Sequence, residues 1–136
     1  MEPRQIIDLF AIDGKVLEVK PLGEGGFIND TFVVKTEGDA PNYILQRKNH
    51  IVFPNVPAMM DNIVAVTNHI KAKVADPLRD TLTIVPAKDG KYYVNDDKGN
   101  FWAVCLYIKG SRSYDRADTP ELAYQGGVGL GEFHRL

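Results

Sequence analysis

Residues 23–32 read GEGGFINDTF, and glycine occupies three of the first four positions. Glycine is costly to order, so such a cluster marks a tight turn or a close approach of the backbone to another group. Residues 16–20 before it are typical of a strand. Residues 28–34 after it alternate between two faces if the segment is extended. The glycines are therefore predicted to connect two strands.

The segments that follow predict a sheet and one long helix. Met59, Ile63, Val66, Ile70 and Val74 recur at steps of three and four, which is one stripe of an amphipathic helix. The helix is predicted over 55–75, with Asn55 as its cap and Pro57 in its first turn. The remaining strands are predicted at 43–47, at 82–85, and in a hairpin from Tyr92 to a buried strand at 101–108. This order predicts an α+β domain with an antiparallel sheet of about five strands and one packed helix.

Composition excludes several classes of protein. The chain has 136 residues and a formal net charge of −2, which gives no basic footprint for nucleic acid. No apolar run approaches the length of a membrane span, so no membrane partner is expected. The single cysteine, Cys105, rules out an internal disulfide framework and favours a reducing, cytoplasmic location.

The glycine cluster fits one of three phosphate-binding devices. A Walker A loop and a Rossmann turn both open a helix, whereas here the next element is a strand. The glycine-rich loop of protein-kinase-like folds lies between two strands and covers nucleotide phosphates. Gly23 and Gly25 match its first two glycines, but Ile28 stands where the third would be. A glycine hairpin without a ligand remains the alternative for this segment alone.

Four stretches carry a resemblance to a known family: GEGGFINDTFVV (23–34), YILQRKNHIVFPN (43–55), MMDNIVAVTNHI (59–70) and ELAYQGGVGLGEFHRL (121–136). With them the chain resembles the amino-terminal lobe of the aminoglycoside-phosphotransferase-like kinases, and most of all their N-acetylhexosamine kinases. The resemblance implies an ATP- and Mg²⁺-dependent transfer of phosphate to a sugar hydroxyl. It also implies that the catalytic Asp and the metal ligands lie in a carboxy-terminal lobe, so no catalytic or metal-binding residue is assigned to this chain.

The resemblance further implies a set of nucleotide-binding positions. Gly23, Gly25, Gly26 and Phe27 would cover the phosphates, and Asn29, Asp30 and Thr31 open the returning strand. Asn29 or Asp30 would reach a phosphate or the sugar; the alternative is that they only close the turn through bonds to the backbone. Cys105, Leu106, Tyr107 and Ile108 would border the adenine, which pairs with the Leu106 carbonyl and the Ile108 amide.

Gln46 departs from the family pattern. Many relatives carry Lys or Arg at this position, where the side chain touches the nucleotide phosphates, and a neutral amide cannot supply that charge. Arg47 is adjacent but is predicted to face the opposite side of the strand, so the contacting residue of the pair stays open. Asp61 is the candidate partner for that side chain; its alternative role is that of an acid near a helix N-terminus.

The expected organisation is a kinase-like lobe at 1–108, a hinge at 109–118 and the first helix of a second lobe at 119–136, capped by Thr119. Gly126, Gly127, Gly129 and Gly131 weaken this helix, so it is expected to need a partner. Self-association through 119–136, or disorder of that segment, is therefore expected. Two alternatives remain open: a complete non-catalytic α+β module that binds a ligand or a protein, and a degenerate kinase that binds nucleotide without turnover.

Overall fold

The computed structural model describes residues 1–23 and 28–136. Four helices and six strands follow one another along the chain. They are α1 (Pro3–Ile7), β1 (Val16–Pro21), β2 (Asp30–Thr36), β3 (Tyr43–Lys48), α2 (Val56–Lys71), α3 (Pro77–Asp80), β4 (Ile84–Val85), β5 (Val94–Asn95), β6 (Phe101–Leu106) and α4 (Pro120–Arg135).

The strands form one open antiparallel sheet in the order β1-β2-β3-β6-β4, and the short β5 pairs with β6 beside that path. The connections β1–β2 and β2–β3 join neighbours in the sheet. Between β3 and β6 the chain makes α2, α3, β4 and β5, and β6 then returns to pair with β3 along six residues. The antiparallel α+β class predicted from the sequence is confirmed.

Each face of the sheet carries its own hydrophobic core. On one face, Ile6, Ile7 and Phe10 from the amino-terminal segment pack against Leu45 and Trp102. On the other face, Val56 and Met60 of α2 pack against Ala103. Because successive residues of a strand point to opposite faces, Trp102 and Ala103 of β6 belong to different cores. We call these faces the α1 face and the α2 face.

Capping residues define the beginnings of the two long helices. The Asn55 side-chain oxygen accepts a hydrogen bond from the Ala58 amide at 3.1 Å. The Thr119 hydroxyl oxygen accepts one from the Leu122 amide at 3.2 Å. Both caps were predicted from the sequence and both are confirmed, as is the position of Pro57 in the first turn of α2.

Several boundaries differ from the sequence-based prediction. The sheet has six strands instead of about five, because residues 94–95 pair with β6 as a separate short strand. Helix α2 ends at Lys71 instead of residue 75, and the amides of Lys73 and Val74 both bond to the Ile70 carbonyl in a closing turn. Strand β6 ends at Leu106 instead of residue 108. The short helix α3 was not predicted.

Candidate functional site

A recess on the α2 face is the strongest candidate for a ligand site. Strands β3 and β6 form its floor, chiefly through Ile44, Ala103 and Cys105, and Met60 and Ile63 of α2 form one wall. Its volume is about 50 Å³, well below the roughly 300–1,000 Å³ typical of small-ligand pockets, so the recess encloses only part of such a ligand. The lining is almost wholly apolar apart from Gln46 and Lys48, which suits a flat, apolar group with a polar extension.

A chain of side-chain hydrogen bonds runs across one end of this recess. The Lys48 ammonium donates to the Gln46 side-chain oxygen at 2.7 Å. The Gln46 amide nitrogen in turn donates to the Thr31 hydroxyl at 3.0 Å. Thr31 and Gln46 are directly paired across β2 and β3. The chain Lys48–Gln46–Thr31 therefore links the recess to the beginning of β2, just after the glycine-rich segment.

Lys48 was not among the residues singled out from the sequence, although its position follows from strand alternation. Residues 46 and 48 of β3 are two apart, so they share a face. Burial lowers the pKa of the Lys48 ammonium, and the Cys105 thiolate offsets part of that effect. Burial also raises the pKa of the Cys105 thiol, with Lys48 as the partial offset. Among the described residues that line the recess, Lys48 is the only one with a basic side chain.

Arg47 lies on the α1 face. Its guanidinium forms an ion pair with Asp30, the residue paired with it on β2. It also lies over the Trp102 ring, 5.9 Å from the ring centroid. Since the recess is on the α2 face, neither the Arg47 nor the Asp30 side chain lines it.

Asn29 ties the beginning of β2 to the end of β3. Its side-chain oxygen accepts a hydrogen bond from the Asn49 amide at 2.9 Å. Asn29 and Asp30 thus both bond within the chain in this structure. Gly23, at the end of β1, has φ of +69°, which lies in the left-handed region that favours glycine. Gly25, Gly26 and Phe27 lie outside the described residues.

Asp61 is exposed, and no ion pair or hydrogen bond within the described residues joins it to Gln46, Arg47 or Lys48. The neighbouring Met60 is the α2 side chain that turns into the recess, and it is almost fully buried. The register of α2 therefore directs Asp61 towards solvent.

The segment after β6 forms the other end of the candidate site. The Leu106 amide donates to the Thr83 carbonyl at 3.0 Å, and the Tyr107 amide donates to the Asn42 carbonyl at 3.0 Å. The Ile108 carbonyl accepts a hydrogen bond from Ser111 at 2.8 Å. Within the described part of the chain, no residue accepts a hydrogen bond from the Ile108 amide. Cys105 lines the recess, while Leu106 packs against the α1-face core.

A second, wider groove lies where α2 approaches the end of α4. Its lining is mainly apolar, from Ile63, Val66, Ile70, Leu82, Ile108 and Phe133. It adjoins the recess, because Ile63 and Leu82 line both.

Over residues 1–23 and 28–136, no group of three or more His, Cys, Asp or Glu side chains is placed to hold a metal ion. Within the same ranges, no helix has both the length and the apolar character that crossing a membrane requires. No protein-family model matches the chain.

Proposed function

We propose that this chain is the nucleotide-binding lobe of an ATP-dependent small-molecule kinase of the aminoglycoside-phosphotransferase-like type. The observation that carries the proposal is the recess on the α2 face. Its apolar floor suits an adenine base, and its polar end lies beside the strand that follows the glycine-rich segment. A base with a phosphate tail has the same division into a flat apolar part and a charged part.

The arrangement of elements supports this proposal. In kinase-like folds the helix after the third strand steadies the side chain that contacts phosphate. Here α2 follows β3 and packs on the face that carries the recess. The segment at 107–110 directly follows β6. The family resemblance implies that the hinge between the two lobes begins there. The Ile108 amide is available there to donate a hydrogen bond to adenine.

The proposed reaction is transfer of the ATP γ-phosphate to a sugar hydroxyl, with an N-acetylhexosamine as the acceptor implied by the resemblance. Mg²⁺ would neutralise charge on the phosphates. We assign its ligands and the catalytic base to no residue of this chain. The contribution of the residues described above is to bind and orient the nucleotide.

Calorimetric titration of the chain with ADP, ATP and adenosine tests the nucleotide site. We expect all three to bind, because the base occupies the apolar floor, and we expect competition between them for one site. A chain that binds neither ADP nor adenosine would contradict the proposal and favour the non-catalytic module.

The same chain is expected to show no phosphotransfer by itself. Positioning and electrostatic stabilisation supply nearly all of phosphoryl-transfer catalysis. The residues of this chain are proposed only to bind and orient the nucleotide, and no catalytic base or metal ligand is assigned to them. A coupled ADP-release assay with GlcNAc or GalNAc, ATP and Mg²⁺, run against a control without sugar, measures this. Sugar-dependent turnover above the control would show that the assignment of catalytic residues elsewhere is wrong.

A further inference from the structure

We infer that Lys48 supplies the positive charge that binds the nucleotide phosphates, and that Gln46 is a positioning residue that holds Lys48 in place. This inference rests on the proposed nucleotide site and goes beyond it, because neither the neutral amide of Gln46 nor the guanidinium of Arg47 meets the requirement for a cation in the recess.

The geometry of β3 explains how a lysine two residues further on can act at this level of the recess. Two residues of a strand advance the backbone by about 7 Å, which moves the Lys48 backbone beyond Gln46. The side chain turns back along the strand, and its ammonium lies 2.7 Å from the Gln46 side-chain oxygen. The charge is therefore beside residue 46, although the residue that carries it is 48.

Gln46 is suited to hold Lys48 because the nitrogen and the oxygen of its side-chain amide bond to different partners. Its amide nitrogen is committed to the Thr31 hydroxyl, so its oxygen faces Lys48. A basic residue at position 46 would repel Lys48 at this distance. A glutamine instead accepts from it, so Gln46 and Lys48 act as a pair.

Arg47, the other cation of this part of β3, is held away from the recess by its own contacts. Arg47 faces the α1 face, bonds to Asp30 and lies over Trp102. To reach the recess it would have to break that ion pair and cross the plane of the sheet. Lys48 forms no ion pair within the described residues. A partly buried ammonium favours an anionic ligand, because burying a charge without a counter-charge is costly.

Calorimetric titrations with ADP and with adenosine separate the phosphate contact from binding of the base. We expect Lys48→Met to weaken ADP binding about tenfold, the loss typical of one charge-assisted hydrogen bond, and to leave adenosine binding unchanged. The matched control is Lys98→Met, which removes an exposed lysine from the β5–β6 turn and is expected to bind both ligands as the unmodified chain does. Arg47→Met tests the alternative that Arg47, and not Lys48, binds the nucleotide phosphates.

Two further measurements distinguish binding from a structural effect. Removing a partly buried charge is expected to leave the urea midpoint of Lys48→Met unchanged or higher, so weaker ADP binding would not reflect unfolding. Gln46→Met is expected to weaken ADP binding in the unmodified chain but to have no further effect in Lys48→Met. This non-additivity is the result expected if Gln46 acts through Lys48.

The outcomes separate the inference from the function on which it rests. If the unmodified chain binds neither ligand, both are overturned. If it binds ADP and Lys48→Met binds ADP equally well, or if Arg47→Met alone loses affinity, the nucleotide site stands and the assignment to Lys48 is overturned. Weaker ADP binding by Lys48→Met, with adenosine unchanged, supports it.

Discussion

The carboxylate of Asp96 holds the turn between β5 and β6 to the sheet. It accepts hydrogen bonds from the amides of Lys98 and Asn100, from the Asn100 side chain, and from the Trp102 indole at 3.0 Å. Burial by itself would raise the pKa of Asp96, but these bonds outweigh it and hold the pKa well below its usual value. The ionised form is therefore favoured in the folded chain.

The low pKa of Asp96 makes stability depend on acid. Since the folded pKa lies below the unfolded one, the contribution to stability is complete above about pH 4 and is lost as the pH falls further. We expect Asp96→Asn to lower the free energy of unfolding at pH 7 by about 1–2 kcal/mol, because an amide nitrogen cannot accept a hydrogen bond. The same variant should lose less stability than the unmodified chain between pH 5 and pH 3, which urea titrations measure.

Asp39→Asn is the matched control for Asp96→Asn, because Asp39 is exposed in the β2–β3 turn. It should leave both the stability at pH 7 and the acid dependence as they are. Equal acid dependence in Asp96→Asn and the unmodified chain would contradict the role given to Asp96.

The Thr83 hydroxyl oxygen, just before β4, is buried and has no hydrogen-bond partner among the described residues. Valine has the same shape without the hydroxyl, so Thr83→Val removes the cost of burying an unpaired polar atom. We expect the free energy of unfolding to be unchanged or to rise by up to about 1 kcal/mol. The control is Thr81→Val, which makes the same change at a neighbouring threonine to which this reasoning does not apply. If Thr83→Val lowered the free energy of unfolding by more than about 1 kcal/mol, the Thr83 hydroxyl would be hydrogen-bonded.

Single residues could be placed on the correct face from the sequence, but their partners could not. Strand alternation separates Gln46 from Arg47, and the same rule places Lys48 on the face of Gln46. The hydrogen bond between Asp96 and Trp102 depends on how the turn folds back over β6. The hydrophobic periodicity of the sequence does not predict that arrangement.

At the level of elements, α2 shows where periodicity is accurate and where it is not. Of the predicted stripe, Ile70 is buried and Met59 and Ile63 pack against the α2-face core, whereas Val66 is exposed. Met60 and Thr67 are buried as well. Val56 in the first turn is fully buried against the sheet and sets the rotation of the helix. The packed face therefore includes most of the predicted stripe but extends towards Met60 and Thr67, which leaves Val66 exposed.

The glycines of α4 offer a test of how far propensity limits a helix. Apart from the neighbouring residues and backbone of the helix itself, no atom of the described residues lies within 4 Å of the position that a Cβ would take at Gly126 or Gly129. Alanine stabilises an exposed helix by about 1 kcal/mol relative to glycine. We therefore expect the double variant Gly126→Ala, Gly129→Ala to lose its helical structure at a higher temperature than the unmodified chain. Far-ultraviolet circular dichroism as a function of temperature measures this midpoint.

The contrasting variant for α4 is Gly99→Ala, which makes the same chemical change where φ is +79°. It should lower stability, because alanine is strained in that conformation. If both substitutions moved the midpoint in the same direction, backbone conformation would not be the cause.

At the scale of the whole molecule, the exposed apolar surface of α4 favours self-association. Leu130 is 58% exposed and Phe133 is 52% exposed, and Phe133 borders the apolar groove beside α2. Contiguous apolar surface of this kind is typical of interaction sites, and a symmetric dimer is the commonest assembly. The segment forms a helix in the structure, so of the two expectations for residues 119–136 we retain self-association.

Light scattering of the chain over a range of concentrations measures the self-association. We expect a mass that rises with concentration towards a dimer, and a monomer for Leu130→Asp and for Phe133→Asp. Glu132→Gln, on the same helix, is the control and should behave as the unmodified chain. A monomer at all concentrations would contradict the prediction.

The class of the fold could be predicted because it depends on the order of elements, whereas the arrangement of the sheet could not. The pairings of β1, β2 and β3 follow from short connections. The pairing of β3 with β6 joins segments separated by α2, α3, β4 and β5, and its register depends on two cores whose residues lie far apart in the sequence. The recess lies on that pairing, and of its lining only Gln46 and Cys105 were expected at the site from the sequence.

The central position of β6 has a consequence for exchange of its amide protons with solvent. It pairs with β3, β4 and β5, and its residues enter both cores. Opening β6 therefore disrupts both faces at once, so its amides should exchange with deuterium only through global unfolding. Amides of the edge strand β1 and of α4 should exchange earlier through local openings, and nuclear magnetic resonance or mass spectrometry would report this order. Exchange of β6 as fast as that of β1 would show that the two cores open independently.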